Sequence, residues 1–406
     1  MTKRFSLSLL SMLLVLLVVL SVSSVAIAQD DDIVVVIAPD EPVKIGLAAA
    51  LSGEGLVLLG EDILHGAELA LVNRPVVTVG DVEFTVELDP QDDLCSSEGG
   101  QTVANLFTVD ESIVGVVGPM CTSAVNGALP IFESAGYTII SPSATGDTLT
   151  ETDSPSFNRT CPRDSFQGNF AAPYIYNELG VTRIATIHDG SPYAEGLVEI
   201  VTELFEELGG EVVAADAVTV GSTDFRALLE EIAQAEPELI YFPGFPAEAA
   251  RLIEQRADAG LEDVMFMGAD GVWGAETISL AGDTAEGVFA SVPVADSEGY
   301  ADYLEQYVEA YGMEPPAAFG AYSYDATNLL LDAIEAVGEL DDDGNLVISR
   351  AALAEYIRSF EPVQGISGLL EADGTGEMTG GVFGLYQVQE GEWVEIASSL
   401  GEEDSE

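Results

Sequence analysis

Along most of this chain, short apolar runs alternate with longer segments whose apolar residues recur at helical spacing, and loops rich in glycine and hydroxyl residues separate the two. The pattern predicts strands at 43–50, 82–88, 113–117, 138–141 and 157–160, with helices at 61–73, 101–109 and 122–135 between them. The alternation restarts with helix 166–179, strand 183–188, helix 194–208, strand 211–218, helix 225–235, strand 239–242, helix 247–259 and strand 264–268. Strand-rich pieces at 288–294 and 365–370 then separate helical segments at 300–311, 317–337 and 350–360, and a hairpin is expected at 382–388 and 393–396. Strand and helix in regular alternation mean parallel sheets covered by helices on both faces. The predicted fold class is therefore α/β, with two doubly wound lobes and no repeat at solenoid periods.

The stretch 113–149 organises the rest. Gly118-Pro119 ends a strand just before Cys121-Thr122-Ser123, and Pro142 breaks the next strand into Ser143-Ala144-Thr145. In an open parallel sheet ligands bind outside the carboxyl ends of the strands, where free helix N–H groups accept an anion such as a carboxylate. Thr122 and Thr145 are candidates for that role; the competing reading is that they only cap helices.

At 406 residues the chain exceeds the size at which one core stops growing, and a 48% hydrophobic share supplies material for two. Lys3-Arg4, the apolar run 7–20 and Ala26-Ile27-Ala28 stand in the order of a secretory signal peptide, so a mature chain is expected to begin near Gln29. No later stretch is apolar and long enough to span a bilayer. With 12 Lys+Arg against 71 Asp+Glu, the formal charge of −59 repels nucleic acid and anionic lipid. The acids are spread through helices, as at 203–207 and 230–231, and so predict solvated faces.

Three cysteines in an exported chain suggest one disulfide and one thiol left over. Cys95 and Cys121 fall in successive strand-end loops on one edge of a sheet; a bridge between them would stabilise by about 3.5 kcal/mol in the chain-entropy model. Cys161 is then the odd thiol, expected to be buried. No G-x-S-x-G elbow, Walker loop or H-E-x-x-H occurs, and His65 and His188 are the only histidines. Asp341-Asp342-Asp343-Gly344-Asn345 begins like a calcium loop but lacks the closing glutamate, which predicts a solvated turn and no metal site. An enzyme has no positive support, and no cofactor is implied.

The phrases VKIGLAAALSG, DDLCSSEGGQTVANLF, VGPMCTSAV, ISPSATGDTLT, RIATIHDGSPYAEG, ELIYFPGFPAEAARLIEQRADAG, FMGADGV and AFGAYSYDATNLL, in this order, resemble the type I solute-binding proteins of ABC importers, above all the branched-chain amino-acid receptors. The resemblance covers about 43–393. It implies two lobes joined by three crossings, a ligand held in the cleft between them, and a disulfide at the positions of Cys95 and Cys121. It also implies that Thr122, the Ser143 carbonyl and Thr145 hold a ligand's α-carboxylate and α-amino group, and that Tyr193 reaches in from the second lobe. Asp270 stands where the receptors have a glutamate that pairs with the ammonium. Leu59, Phe245 and Phe319 match pocket-lining positions, and Trp273 could enlarge or fill the aromatic wall. Two alternatives stay open: Asp270 as a helix N-cap, and Tyr193 as a surface residue at a helix start.

The resulting expectation is a signal peptide at 1–28, an acidic linker at 29–42, lobe I at 43–160 and 295–372, lobe II at 161–294 and 373–397, and an acidic tail at 398–406. The crossings are sought at 150–162, 293–297 and 373–381. The expected function is a periplasmic or extracellular, monomeric receptor that delivers an amino acid to an ABC permease; the alternative is a sensor of amides or small organic acids that reports to a signalling partner.

Overall fold

The computed structural model describes residues 33–152, 154–378 and 381–399, so the expected signal peptide and most of the expected acidic tail lie outside the described residues. Among the described residues the strands form two large sheets. One has six strands in the spatial order Val76–Val79, Val82–Asp92, Val43–Ala49, Ile113–Val117, Ile139–Ser141, Phe157–Arg159. The other has seven, in the order Glu392–Ser398, Val382–Gln389, Phe289–Val294, Met265–Gly268, Leu239–Tyr241, Arg183–His188, Glu211–Ala217.

Within each sheet five strands run parallel, and antiparallel strands occupy one edge. Numbered in chain order, the parallel strands of both sheets lie in the order 2-1-3-4-5. The direction of winding therefore reverses between the first and third strand of each, and a crevice opens there at the carboxyl ends. Strand Ile113–Val117, central in its sheet, is apolar and buried at every residue because helices cover both faces.

The chain passes from the six-stranded to the seven-stranded sheet after Phe157–Arg159, and leaves it after Phe289–Val294 to form helices Tyr300–Tyr311 and Gly320–Val337. The second of these packs on helix Val57–Asn73. A third passage, after the two-stranded pairing of Val363–Gln364 with Leu369–Leu370, carries the chain back to the terminal hairpin. This is the doubly wound, three-crossing α/β fold that the sequence predicts. No helix among the described residues is long and apolar enough to cross a membrane.

The structure differs from the sequence reading in local ways. The stretch expected as an acidic linker contains strand Val34–Ile37, paired antiparallel with Leu346–Ser349. Val35 and Ile37 are buried while Val34 and Val36 are exposed, an alternation the flanking acids disguised. Helix Val57–Asn73 begins a turn earlier than expected, and the helix expected at 166–179 runs over Asp164–Pro173 and continues as a π-helical turn at Tyr174–Glu178. Strand Val76–Val79 and helix Ala275–Ala281 had no counterpart in the reading.

Candidate functional site

Where the strand ends of the two sheets face each other, a cavity is lined by Leu59, Thr122, Ser143, Thr145, Tyr193, Phe245, Asp270 and Phe319, so these eight residues singled out in the sequence are brought to one place. Their origins repeat between the sheets. Leu59 and Tyr193 follow the first parallel strand of their sheet, Thr122 and Phe245 the third, and Ser143, Thr145 and Asp270 the fourth. Beside the cavity the halves touch: a side chain on Gly55, which has φ +77°, would come within 2.6 Å of the Ala247 nitrogen.

One wall is the start of helix Thr122–Ser134. Cys121 stands at its N-cap position without a side-chain hydrogen bond, which leaves the first N–H groups without an intrahelical partner. That end is pinned from outside by the Cys95–Cys121 disulfide, with Cα atoms 5.1 Å apart, and by Asp93, which accepts from Cys95 N and Met120 N at 2.8 Å each. The Thr122 hydroxyl accepts from Gly146 N at 3.2 Å and so joins the two hydroxyl-rich loops. Neither Thr122 nor Thr145 caps a helix. The Ser143 hydroxyl is spent on the Met120 carbonyl at 2.8 Å, leaving its own carbonyl as the group to consider.

Opposite lies Asp270, 5% exposed. It caps nothing, since helix Ala275–Ala281 has Gly274 at its N-cap. The Tyr193 hydroxyl donates to its Oδ1 at 3.0 Å and accepts from Gly271 N at 3.2 Å. Tyr193 is buried, not at the surface, because Pro192–Glu207 starts at the cavity, where Ser191 caps it by accepting from Ala194 N at 3.2 Å. Burial pushes the Asp270 carboxyl up to about 6, against the lowering effect of hydrogen bonds led by that from Tyr193.

The remaining walls are apolar. Phe245 lies 5.7 Å from the Tyr193 ring, centroid to centroid. Phe319 is held by Asp62 of the Leu59 helix, whose Oδ2 accepts from Phe319 N at 3.0 Å and Gly320 N at 2.6 Å. Trp273 does not extend this wall; it turns to Tyr386 of the terminal hairpin, with ring centroids 5.4 Å apart.

Sequence reasoning missed Asp164, which is 1% exposed at the start of helix Asp164–Pro173. Neither of its carboxyl oxygens has a well-formed hydrogen bond. Burial first, then the Asp270 charge, pushes its carboxyl well above the usual range. Its only sequence signal is a place just past a strand-end loop, which does not single out one acid among 71. Cys161 is a buried free thiol, as expected. Asp341 closes the calcium-like segment as a solvated turn, accepting from Asp343 N and Asn345 N at 2.9 Å each. Among the described residues no group of histidine, cysteine or acidic side chains could hold a metal.

The family model described as periplasmic binding protein matches residues 42–392. The Leu/Ile/Val-binding protein of Citrobacter freundii is 30% identical over 347 residues, 85% of this chain and 90% of that one. A leucine binding protein from Thermotoga maritima MSB8 superposes with a TM-score of 0.79 at 27% identity, covering 88% of this chain and 98% of that one. An ABC transporter solute-binding protein from R. palustris, in complex with benzoate, shares the fold with a TM-score of 0.75 at 20% identity, covering 88% and 96%. By the match across nearly all its described residues the chain belongs to the periplasmic binding protein family.

Proposed function

We propose that this protein captures an amino acid with a branched-chain, aliphatic or aromatic side chain in the cleft and delivers it to the permease of an ABC importer. The observation that carries the reading is Asp270, a buried carboxylate facing a cavity whose lining contains no lysine, arginine or histidine. A ligand that brings its own ammonium supplies the missing cation, and a charge-assisted hydrogen bond in a desolvated site is worth more than one in water. The Ser143 carbonyl, Thr145 and Tyr193 complete the ammonium's surroundings. The ligand's carboxylate goes to the Thr122 hydroxyl and the free N–H groups of its helix. Leu59, Phe245 and Phe319 enclose the side chain.

A sensor of small organic acids is the second reading, favoured only by the fold shared with the benzoate binder. Such a ligand would bring a negative charge to Asp270 without a cation to offset it. We further propose lobes at 43–160 with 295–372 and at 161–294 with 373–397, a monomer, and a location outside the cytoplasmic membrane. Mass spectrometry of the ligand released from purified, denatured protein tests the assignment: a branched-chain or related amino acid is expected, and a compound without an amino group would overturn it.

A further inference from the structure

Arg159 is wholly buried, and each of its five side-chain N–H donors has an acceptor. Nε donates to Glu377 Oε2 at 2.9 Å, and Nη2 meets Glu377 Oε1 and, at 3.4 Å, Thr150 Oγ1. The other two donors, on Nη1, reach the carbonyls of Ala144 at 3.0 Å and Gly146 at 2.9 Å, the residues on either side of Thr145. The main chain follows the same path, with Arg159 N donating to Gly376 O at 2.9 Å. Glu377 is also held from the other side, since Thr150 Oγ1 donates to its Oε1 at 2.8 Å.

Two parts of the molecule far apart in sequence thus meet on one guanidinium. The first is the turn 143–146, which lines the cavity. The second is the segment 371–378, by which the chain makes its third passage between the sheets. A planar fork satisfied on every donor fixes both its partners in direction as well as distance, which a lysine ammonium cannot do. A buried ion pair is weak evidence for stability, but in some proteins such a pair holds one arrangement against others.

We propose that Arg159 and Glu377 are positioning residues for ligand binding: the pair sets the Thr145 turn in its binding geometry and ties ligand occupancy to the order of the third passage. This rests on the reading that Thr145 holds part of an amino acid. Loss of one partner frees the turn to move, so the contribution of Thr145 falls even though neither Arg159 nor Glu377 touches the ligand.

The test is a double-mutant cycle read by calorimetry with leucine, in wild type, Glu377→Gln, Thr145→Ala and the double variant. Glu377→Gln should weaken binding about tenfold when Thr145 is present and by less than about threefold when it is absent. In the same proteins, leucine should slow amide exchange at 373–378 in wild type and not in Glu377→Gln. If Glu377→Gln does not fold, Glu377→Asp takes its place, keeping the charge and withdrawing it by one methylene, with the same pattern expected. Equal losses in both backgrounds, or slowed exchange in both proteins, would overturn the inference and leave the pair a purely structural one. Wild type that binds no amino acid in the panel of valine, leucine, isoleucine and phenylalanine would overturn the proposed function and this inference with it.

Discussion

Tyr193 and Asp270, 77 residues apart in the chain, meet at the floor of the cavity with the phenol donating to the carboxylate at 3.0 Å. Each follows a different parallel strand of the seven-stranded sheet, the first and the fourth, so their meeting is a product of the 2-1-3-4-5 strand order. The hydroxyl in turn takes the Gly271 N–H, which leaves it no freedom to turn away. Tyr193 therefore orients Asp270 and favours its ionised form.

Removing that donor should cost affinity without removing the wall. Tyr193→Phe keeps the ring against Phe245 but leaves one oxygen of a buried carboxylate unpaired. Binding of an amino acid should weaken by about 1–2 kcal/mol, measured by calorimetry at pH 7. Unchanged affinity would mean that the ligand does not use Asp270.

Acid should act on binding and on stability in opposite directions. An ammonium pairs with ionised Asp270, whose carboxyl is pushed up to about 6 by burial. Affinity should therefore be flat at neutral pH and fall below pH 6, approaching about tenfold per pH unit. Folding raises Asp62 to about 7 and Asp93 to about 6 as well, in both cases chiefly by burial. A carboxyl raised in the folded state binds its proton more tightly there than in the unfolded chain. Its stabilising effect is full below the unfolded value of about 4 and is lost as pH rises through the folded value. The unliganded protein should accordingly melt at a higher temperature at pH 5 than at pH 8, and scanning calorimetry at the two values checks the sign.

The formal charge of −59 has its own consequence. Repulsion among surface acids opposes the compact state and is screened when the Debye length shrinks from about 10 Å at 0.1 M salt to about 3 Å at 1 M. The melting temperature should rise between these two concentrations of sodium chloride. A fall would locate the dominant electrostatics in ion pairs such as Arg74 with Asp332 and Glu335.

How much of this was legible in the sequence depended on what each feature rests on. The central strands were readable because helices bury both faces, which makes them largely apolar and turns Ile113–Val117 into an unbroken apolar run. The loops at their carboxyl ends were readable as a candidate site because in an open parallel sheet ligands bind outside the carboxyl ends of the strands. Strand Val34–Ile37 was missed although its β-branched run is a strand signal: the flanking acids made the stretch read as a linker, and its partner, Leu346–Ser349, comes more than 300 residues later. Asp164 was hidden because an acid becomes distinctive only through burial. Trp273 was misplaced for a similar reason: Asp270, three residues earlier, faces the cavity, but the turn after it sends the indole to Tyr386. The Arg159 clamp could not be read, since it joins 144–146 to Glu377 through tertiary contacts alone.

Asp270 is the residue on which the amino-acid assignment stands, as the proposed partner of the ligand's ammonium. Asp270→Asn removes that charge, leaves the ligand's ammonium underpaired in a desolvated site, and should cost about 2–5 kcal/mol of affinity. Because the residue caps no helix, the fold should barely respond. Calorimetry of wild type and variant with leucine and with its analogue lacking the amino group measures this directly. Wild type should bind leucine and reject the analogue, and Asp270→Asn should lose this preference with its melting temperature kept. An unchanged leucine affinity accompanied by a lower melting temperature would contradict it, making Asp270 a structural acid and removing the chemical basis of the amino-acid assignment.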